Sequence, residues 1–188
     1  GYKVEAVNWQ ESNVDWKSKQ AIILGPVWNY KHNTSEFQAW LKKIKKLGIP
    51  MQNHPDFINW NLKKIYLKQL SDKSIQIPKS IFCDLPSNHF NSFESVLNLT
   101  KEKWDTQDII LKGYVDSNAT SYLHVKKNNF EEAKKHFDTL LEKNFGVVVQ
   151  KFAPEINKTG EISFVVFGSK VGHVFLKLPS INGEKVQV

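Results

Sequence analysis

The first fifty residues combine short apolar runs with one amphipathic stretch. Ala21–Leu24 is aliphatic and is followed at once by Gly-Pro, which predicts a short buried parallel strand. Apolar residues at three- and four-residue steps over Phe37–Leu47 predict a helix with Thr34 or Ser35 as its N-cap. Lys3–Asn8 is interpreted as a further strand. Strand, helix and strand in this order indicate a small open α/β layer.

The rest of the chain mixes helical and strand patterns. Its last part contains two apolar strands separated by Gly168-Ser169, which predicts a hairpin and with it an antiparallel sheet. The predicted fold class is therefore α/β followed by α+β, divided as residues 1–52 and 53–188. The predicted helices cover 61–70, 90–99 and 129–144, the predicted strands cover 108–112, 122–125, 146–152, 161–167 and 170–178, and 77–82 is predicted to be extended.

Composition narrows the class of protein. Of the 188 residues, 40% are hydrophobic and 24% charged, which is ordinary for a globular chain. Cys83 is the only cysteine, so intrachain disulfides and cysteine-based zinc sites are excluded, and it is interpreted as an apolar filler. The sequence shows no signal peptide and no apolar run of roughly 18–20 residues, so we expect a cytoplasmic setting. The six histidines show no metal-ligand spacing, and the first residue, Gly1, suggests that an N-terminal segment is missing.

The net charge of +7 has two interpretations. It could mark a nucleic-acid-binding module, whose affinity for single strands would fall steeply with salt. However, many lysines follow predicted helix faces, as in Lys42–Lys46 and Lys134-Lys135, and such faces are usually only solvated. Nucleic acid is therefore the less favoured partner, and attraction of a nucleotide triphosphate is the alternative.

Three residues and one segment are candidates for nucleotide chemistry. Lys112 follows three aliphatic residues in a predicted strand, where its ammonium either reaches solvent or holds a phosphate. Lys64 lies near a predicted helix start, which favours anions. Val149–Glu155 runs from a strand into a proline-ended stretch, whose free backbone groups could either read a purine edge or close an edge strand. Glu161 opens the next strand and is either a ribose-binding carboxylate or an exposed turn residue.

These segments, in their order and spacing, resemble the ATP-grasp ligases. The resemblance is to the group that contains prokaryotic glutathione synthetase, the ribosomal-protein glutamate ligases and the cycloserine-ring-forming enzymes, and it is closest to the last. It covers nearly the whole chain and implies an ATP-grasp fold with a partial N-terminal layer. The matching segments are Val14-Asp15-Trp16, Trp28-Asn29-Tyr30, Glu36–Leu41, Asn61–Lys64, Ile110–Lys112, Val149–Ile156, Gly160–Phe167 and Gly172–Pro179.

The resemblance also implies a reaction and residue roles. A carboxylate would react with ATP to give an acyl phosphate, from which an amine or another nucleophile displaces phosphate. The expected partners are thus ATP with Mg²⁺ and a small carboxylate, and a homo-oligomer is allowed. The implied ATP-binding residues are Lys64, Lys112, Gln150, Lys151, Phe152, Ala153 and Glu161, with Glu155 as an alternative to Glu161 and with Ser117, Asn118 and Ala119 in the phosphate loop. The implied catalytic residues are Lys177 and Lys185.

The chain departs from the family pattern at several points. Lys112-Gly113 replaces Lys-Pro, Asp116 places an acidic residue in the phosphate loop, and Gly25-Pro26 stand where relatives carry Arg-Ser. No Mg²⁺ ligands are assigned within the chain, since the resemblance places them beyond Val188. We therefore expect a fragment of a longer ligase that is inactive alone, and the alternative is an ATP-grasp relative that binds nucleotide without turnover.

Overall fold

The structure, a computed structural model, describes residues 1–84, 92–116, 121–143 and 145–178. Gly1–Lys151 form one unit, and a second unit begins at Phe152. The first unit contains a two-stranded parallel layer and a four-stranded sheet, and the second contains a two-stranded hairpin. Within the described ranges, no helix has both the length and the apolar character needed to cross a membrane.

The parallel layer is joined by one long helix. Strand β1 (Ile22–Ile23) pairs in parallel with β2 (Met51–Gln52), and helix α1 (Thr34–Leu47) connects them. The predicted apolar face of α1 is confirmed, because its three- and four-residue steps bury Phe37 and its neighbours. The predicted N-cap is wrong, since Asn33 precedes the helix and makes no capping hydrogen bond.

Aromatic side chains form the centre of this layer. The Phe37 ring centre lies 5.1 Å from that of Trp9 and 5.6 Å from that of Trp40, which in turn lies 5.4 Å from Trp16. The strand predicted at Lys3–Asn8 is wrong: the segment forms no strand, and Val4 is 89% exposed. Burial of Trp9 and Trp16, rather than strand pairing, holds the N-terminal segment against α1.

The single helix predicted over residues 61–70 is also wrong. Two short helices occupy this region, α2 (Pro55–Asn61) and α3 (Tyr66–Asp72). Between them the Lys64 N–H donates to the Tyr114 carbonyl at 2.8 Å, instead of to a carbonyl one helical turn earlier. A tertiary hydrogen bond therefore replaces the helical one and breaks the helix at Lys64.

The second layer of the first unit is an antiparallel sheet with the strand order β3-β6-β4-β5. Its strands are β3 (Ser80–Cys83), β4 (Ile109–Gly113), β5 (Leu123–Val125) and β6 (Val147–Lys151). Helices α4 (Phe93–Trp104) and α5 (Phe130–Lys143) contribute to the core on one side of it. The predicted strands are confirmed within two residues at each end, whereas α4 continues to Trp104 instead of ending at Leu99.

Alternation along the strands divides the sheet into two faces. Ile109 and Leu111 of β4 and Val147 and Val149 of β6 belong to the core cluster that includes Phe137 of α5. The intervening residues of the same strands therefore lie on the opposite face. That opposite face carries the polar side chains on which the candidate site depends.

The second unit consists of helix α6 (Glu155–Thr159) and a hairpin of β7 (Glu161–Phe167) and β8 (Lys170–Lys177). The hairpin predicted across Gly168-Ser169 is confirmed, and Gly168 has a φ of +62°, which favours glycine. One hairpin face is apolar, and its members are each more than half exposed. They include Ile162, Phe164, Val174 and Leu176.

Candidate functional site

The polar face of the four-stranded sheet contains two rows of paired residues. The register aligns Ser80, Gln150, Ile110 and His124 in one row. The neighbouring row contains Phe82, Val148 and Lys112. Because β6 lies between β3 and β4, its side chains can reach both of these neighbours.

Lys112 and Gln150 are the centre of a hydrogen-bonded chain on this face. The Lys112 ammonium donates to Gln150 Oε1 at 2.7 Å, and Gln150 Nε2 donates to Ser80 Oγ at 3.0 Å. Ser80 Oγ in turn donates to the Pro78 carbonyl at 2.7 Å. Gln150 is only 6% exposed, so these contacts satisfy a buried amide. The Gln150 side chain consequently holds the ammonium of Lys112 in a defined position.

Lys64 lies close to the same end of the sheet. Its backbone N–H is bonded to the Tyr114 carbonyl, and its ammonium donates to the Asp116 carbonyl at 3.2 Å. Burial lowers the pKa of Lys64; the Asp116 carboxylate opposes this shift, and the positive charge of Lys112 adds to it. The positive charges of Lys64 and Lys112, which are distant in sequence, therefore act on each other. A bound anion would offset their mutual repulsion.

The ends of the predicted phosphate loop are held together by Ser121. Its hydroxyl accepts a hydrogen bond from the Gly113 N–H at 2.9 Å, and its own N–H donates to Asp116 Oδ1 at 3.3 Å. The Asp116 carboxylate thus accepts a hydrogen bond from the loop's own backbone. The predicted loop residues Ser117, Asn118 and Ala119 lie outside the described residues.

The predicted purine-reading segment is divided between the two units, with Lys151 ending the first and Phe152 beginning the second. The Lys151 N–H donates to the Lys79 carbonyl at 3.0 Å, and the Ala153 carbonyl accepts from the Ile156 N–H at 3.2 Å. The expectation that the backbone groups here are free is therefore wrong for these two. The pairing across to Lys79 and the start of α6 satisfy them.

In the second unit, two predicted site residues contact each other. Glu161 pairs with Lys177 in the hairpin register, and the Lys177 ammonium donates to Glu161 Oε1 at 3.3 Å. The same ammonium lies 5.5 Å from the ring centre of Phe175. Glu155 is the exposed first residue of α6, and Lys185 lies outside the described residues. An anion held by Lys177 would therefore compete with the Glu161 carboxylate.

Sequence reasoning did not identify two residues that shape the first-unit site. Ser80 fixes the Gln150 amide, and Tyr114 fixes the backbone of Lys64. Both contacts arise from pairing between segments far apart in the chain, for which no local pattern exists. The Tyr114 hydroxyl is buried and has no hydrogen-bond partner among the described residues, and burial raises its pKa.

No metal centre is assembled by the part of the chain that the structure describes. Within residues 1–84, 92–116, 121–143 and 145–178, no three His, Cys, Asp or Glu side chains group closely enough to hold an ion. Mg²⁺ prefers several hard oxygen ligands in octahedral geometry. Because Mg²⁺ is commonly held by one or two carboxylates together with substrate phosphates and waters, this finding concerns only sites built from three or more protein side chains.

Comparison with known proteins supports one fold. Residues 1–53 match the family described as "D-cycloserine synthetase DcsG, N-terminal domain". The chain is 20% identical over 178 residues to "Cycloserine biosynthesis protein DcsG" of Streptomyces lavendulae. That alignment covers 94% of this chain and 58% of the relative, so the chain spans little more than half of the relative's length.

The solved structures that are similar to the chain include the following two. The crystal structure of D-cycloserine synthetase DcsG superposes with a TM-score of 0.82 at 18% identity, covering 93% of this chain and 57% of that one. A RimK domain ATP-grasp protein from Sphaerobacter thermophilus gives a TM-score of 0.55 at 17% identity, covering 74% and 49%. The predicted ATP-grasp fold is confirmed, as is the resemblance to cycloserine-forming enzymes of this group.

Proposed function

We propose that this chain, which has the ATP-grasp fold, binds ATP as part of a carboxylate–amine ligase and that Lys64 and Lys112 hold its phosphates. The observation that carries the proposal is that Lys112 of β4 is held by Gln150, while Lys64 is hydrogen-bonded to Tyr114 and Asp116, which follow the end of β4. Lys112 is oriented by a hydrogen bond, and Lys64 is partly desolvated next to a like charge. Both conditions strengthen the attraction to an anion.

The proposed reaction has two steps. A carboxylate oxygen of the substrate attacks the γ-phosphorus, the bond from that phosphorus to the β,γ-bridging oxygen breaks, and ADP leaves with the electron pair. An amine then attacks the acyl carbon, phosphate leaves with the acyl oxygen, and the amine loses a proton. In such reactions the protein mainly positions the reactants and neutralises charge.

The lysines act where negative charge accumulates. A single oriented contact of this kind typically contributes about 2.7–4 kcal/mol to transition-state stabilisation. Within the proposal Gln150 acts by holding Lys112, and Lys151, Phe152 and Ala153 contact the base.

The remaining roles belong to the second unit and to segments beyond the described residues. Glu161, or Glu155 in its place, binds the ribose, and Lys177 and Lys185 face the acyl phosphate. Ser117, Asn118 and Ala119 cover the phosphates. Each of these roles rests on the family resemblance and is part of the proposal.

The test is ATP binding by calorimetry in matched variants. Lys112→Ala should abolish measurable binding, because it removes the oriented charge and leaves Gln150 without its donor. Lys135→Ala is the control, since this lysine lies on the exposed surface of α5 and changes net charge equally. Equal ATP affinity in Lys112→Ala and the parent chain would overturn the proposal.

A further inference from the structure

A small cavity lies at the carboxyl ends of the two parallel strands in the first unit. Its volume is about 220 Å³, and it is lined by residues that directly follow β1 and β2, among them Leu24 and Asn53. Helix α2 contributes Ile58 and Asn61 to the lining. Crevices at the carboxyl ends of parallel strands are a preferred place for ligands in open α/β layers.

The volume of the cavity limits what can enter it. At about 30 Å³ for each water in the liquid, it corresponds to roughly seven water molecules. This is the scale of an amino-acid side chain and is below the ~300–1,000 Å³ of pockets for drug-sized ligands.

Among the described residues that line the cavity, the Tyr30 phenol is the only ionisable group. Leu24, Phe37 and Leu62 supply apolar surface, and Asn53 and Asn61 supply polar groups. Both asparagines are exposed, and neither side-chain amide makes a hydrogen bond to another residue within the described ranges. The cavity therefore offers two amides, a phenol and an apolar floor to its occupant.

An uncharged group fits this lining better than a charged one. Among the described lining residues none carries a counter-charge for an ionised group, so contact of such a group with the apolar part of the lining would go uncompensated. A carboxamide can exchange hydrogen bonds with the asparagines, and a short aliphatic chain can pack on the apolar floor. The lining therefore favours an uncharged group over an ionised one.

The cavity is within reach of the proposed ATP site. Asn61 precedes Lys64 by three residues, which at ~3.3–3.6 Å per residue places their backbones no more than about 11 Å apart. Tyr30 also lies on the cavity wall. Burial raises the pKa of Tyr30, and the nearby Asp116 carboxylate adds to that rise. One small molecule could therefore extend from the cavity to the phosphate-binding lysines.

We infer that this cavity receives the uncharged end of the carboxylate substrate, whose reacting carboxylate then lies toward Lys64. The inference rests on the proposed function and makes it more specific. The substrate class is a small carboxylic acid with a carboxamide or short aliphatic group at its far end, rather than an ammonium or a second carboxylate.

The experiment follows the side-chain amide signals of Asn53 and Asn61 by NMR. Four acids of similar length serve as probes: glutamine, norleucine, glutamate and lysine, each as both enantiomers. Glutamine or norleucine should shift these signals with at least about tenfold higher affinity than glutamate and lysine. Equal affinities for all four, or no shift with any of them, would overturn the inference.

A pair of variants distinguishes a specific role of the cavity from a general effect of an added negative charge. Asn61→Asp places a negative charge on the cavity wall and should weaken glutamine binding at least about tenfold. Asn59→Asp is the control on the same helix, since Asn59 does not line the cavity and an aspartate can still accept its hydrogen bond from Gln38. Equal losses in the two variants would contradict a specific role for the cavity.

Titration with ATP distinguishes this inference from the proposed function. ATP should shift the side-chain amide of Gln150 while Asn53 and Asn61 remain available to the acid. If ATP shifts Gln150 but no acid shifts the asparagines, the inference fails and the proposed function stands. If ATP or adenosine alone moves Asn53 and Asn61, the cavity binds the base and the inference is overturned. Selective binding of the neutral acids without any response of Gln150 to ATP would overturn the proposed function.

Discussion

The Lys112 ammonium donates to the Gln150 side-chain oxygen at 2.7 Å, although the two residues are 38 positions apart in the chain. The strand register explains the contact, because Gln150 is paired with Ile110 and lies diagonally from Lys112 on the same face. Gln150 also bridges to Ser80 on the other side. The position of the lysine therefore depends on three strands at once.

Gln150→Ala should weaken ATP binding without unfolding the chain. A hydrogen bond to a charged group contributes about 1.5–3 kcal/mol, so its loss should reduce the affinity by about ten- to a hundredfold. Calorimetric titration with ATP measures the change. Gln76→Ala is the control, because Gln76 is exposed. An unchanged affinity in Gln150→Ala would show that Lys112 needs no such partner.

ATP affinity should fall as the pH rises through the pKa of Lys64. Burial holds that pKa below 10.5, and a phosphate beside the ammonium would raise it again. Binding then takes up a proton between the two pKa values, so affinity is greatest below the lowered pKa and declines above it. Lys64→Arg should flatten this dependence, because a guanidinium stays charged. A parallel decline in both proteins would assign the effect to another group.

The same shift has a consequence for stability without ligand. Since the unfolded chain keeps the Lys64 proton up to about pH 10.5 and the folded chain releases it earlier, the unfolded state binds more protons in that window. The Lys64 contribution to the free energy of unfolding should therefore rise with pH there. Urea unfolding of the parent chain and of Lys64→Met, compared at neutral pH and near pH 10, tests the sign. A smaller advantage of Lys64→Met at high pH is expected.

Cys83 should be inert toward thiol reagents in the folded protein. It is fully buried in the sheet core, and burial, with a smaller effect of the Asp84 charge, raises its pKa to about 12. At pH 8 the thiolate is then on the order of one part in ten thousand. Labelling should become rapid only in urea. Stoichiometric labelling of the native chain would contradict the burial of Cys83.

Gly146→Ala should destabilise the first unit. Gly146 has a φ of +135°, and a Cβ there would lie 2.6 Å from the Cys83 carbonyl oxygen and from the Tyr114 ring. Overpacking of this kind costs about 1–3 kcal/mol, to which the unfavourable backbone conformation adds. Gly25→Ala meets no atom within 4 Å and serves as the control in urea unfolding. Equal stability of the two variants would be the contradicting result.

The elements that were predictable are those with a strong local pattern. Phe37 through Leu47 repeats at helical steps over three turns, and the final hairpin combines two apolar strands with a Gly-Ser turn. Lys3–Asn8 has strand-like alternation but no partner strand, and burial of Trp9 decides its path instead. The interruption of the helix at Lys64 depends on Tyr114, which is 50 residues later in the chain.

The candidate site was predictable as a set of residues but not as a geometry. The family resemblance named Lys64, Lys112 and Gln150, and the strand register brings the last two into contact. Their roles as ATP ligands stay predictions, as do those of Glu161 and Lys177 and the division of the chain at residues 52 and 53. Register between distant strands is set by the whole core, so no local pattern could supply Ser80 as the partner of Gln150.

The order β3-β6-β4-β5 determines when this sheet can form during synthesis. β6 lies between β3 and β4 but is the last of the four strands to leave the ribosome. Until Val147–Lys151 is available, β4 and β5 can pair only with each other, and β3 has no neighbour in the sheet. The nascent chain must therefore carry unpaired strand edges for some seventy residues of elongation, a period in which such edges favour aggregation.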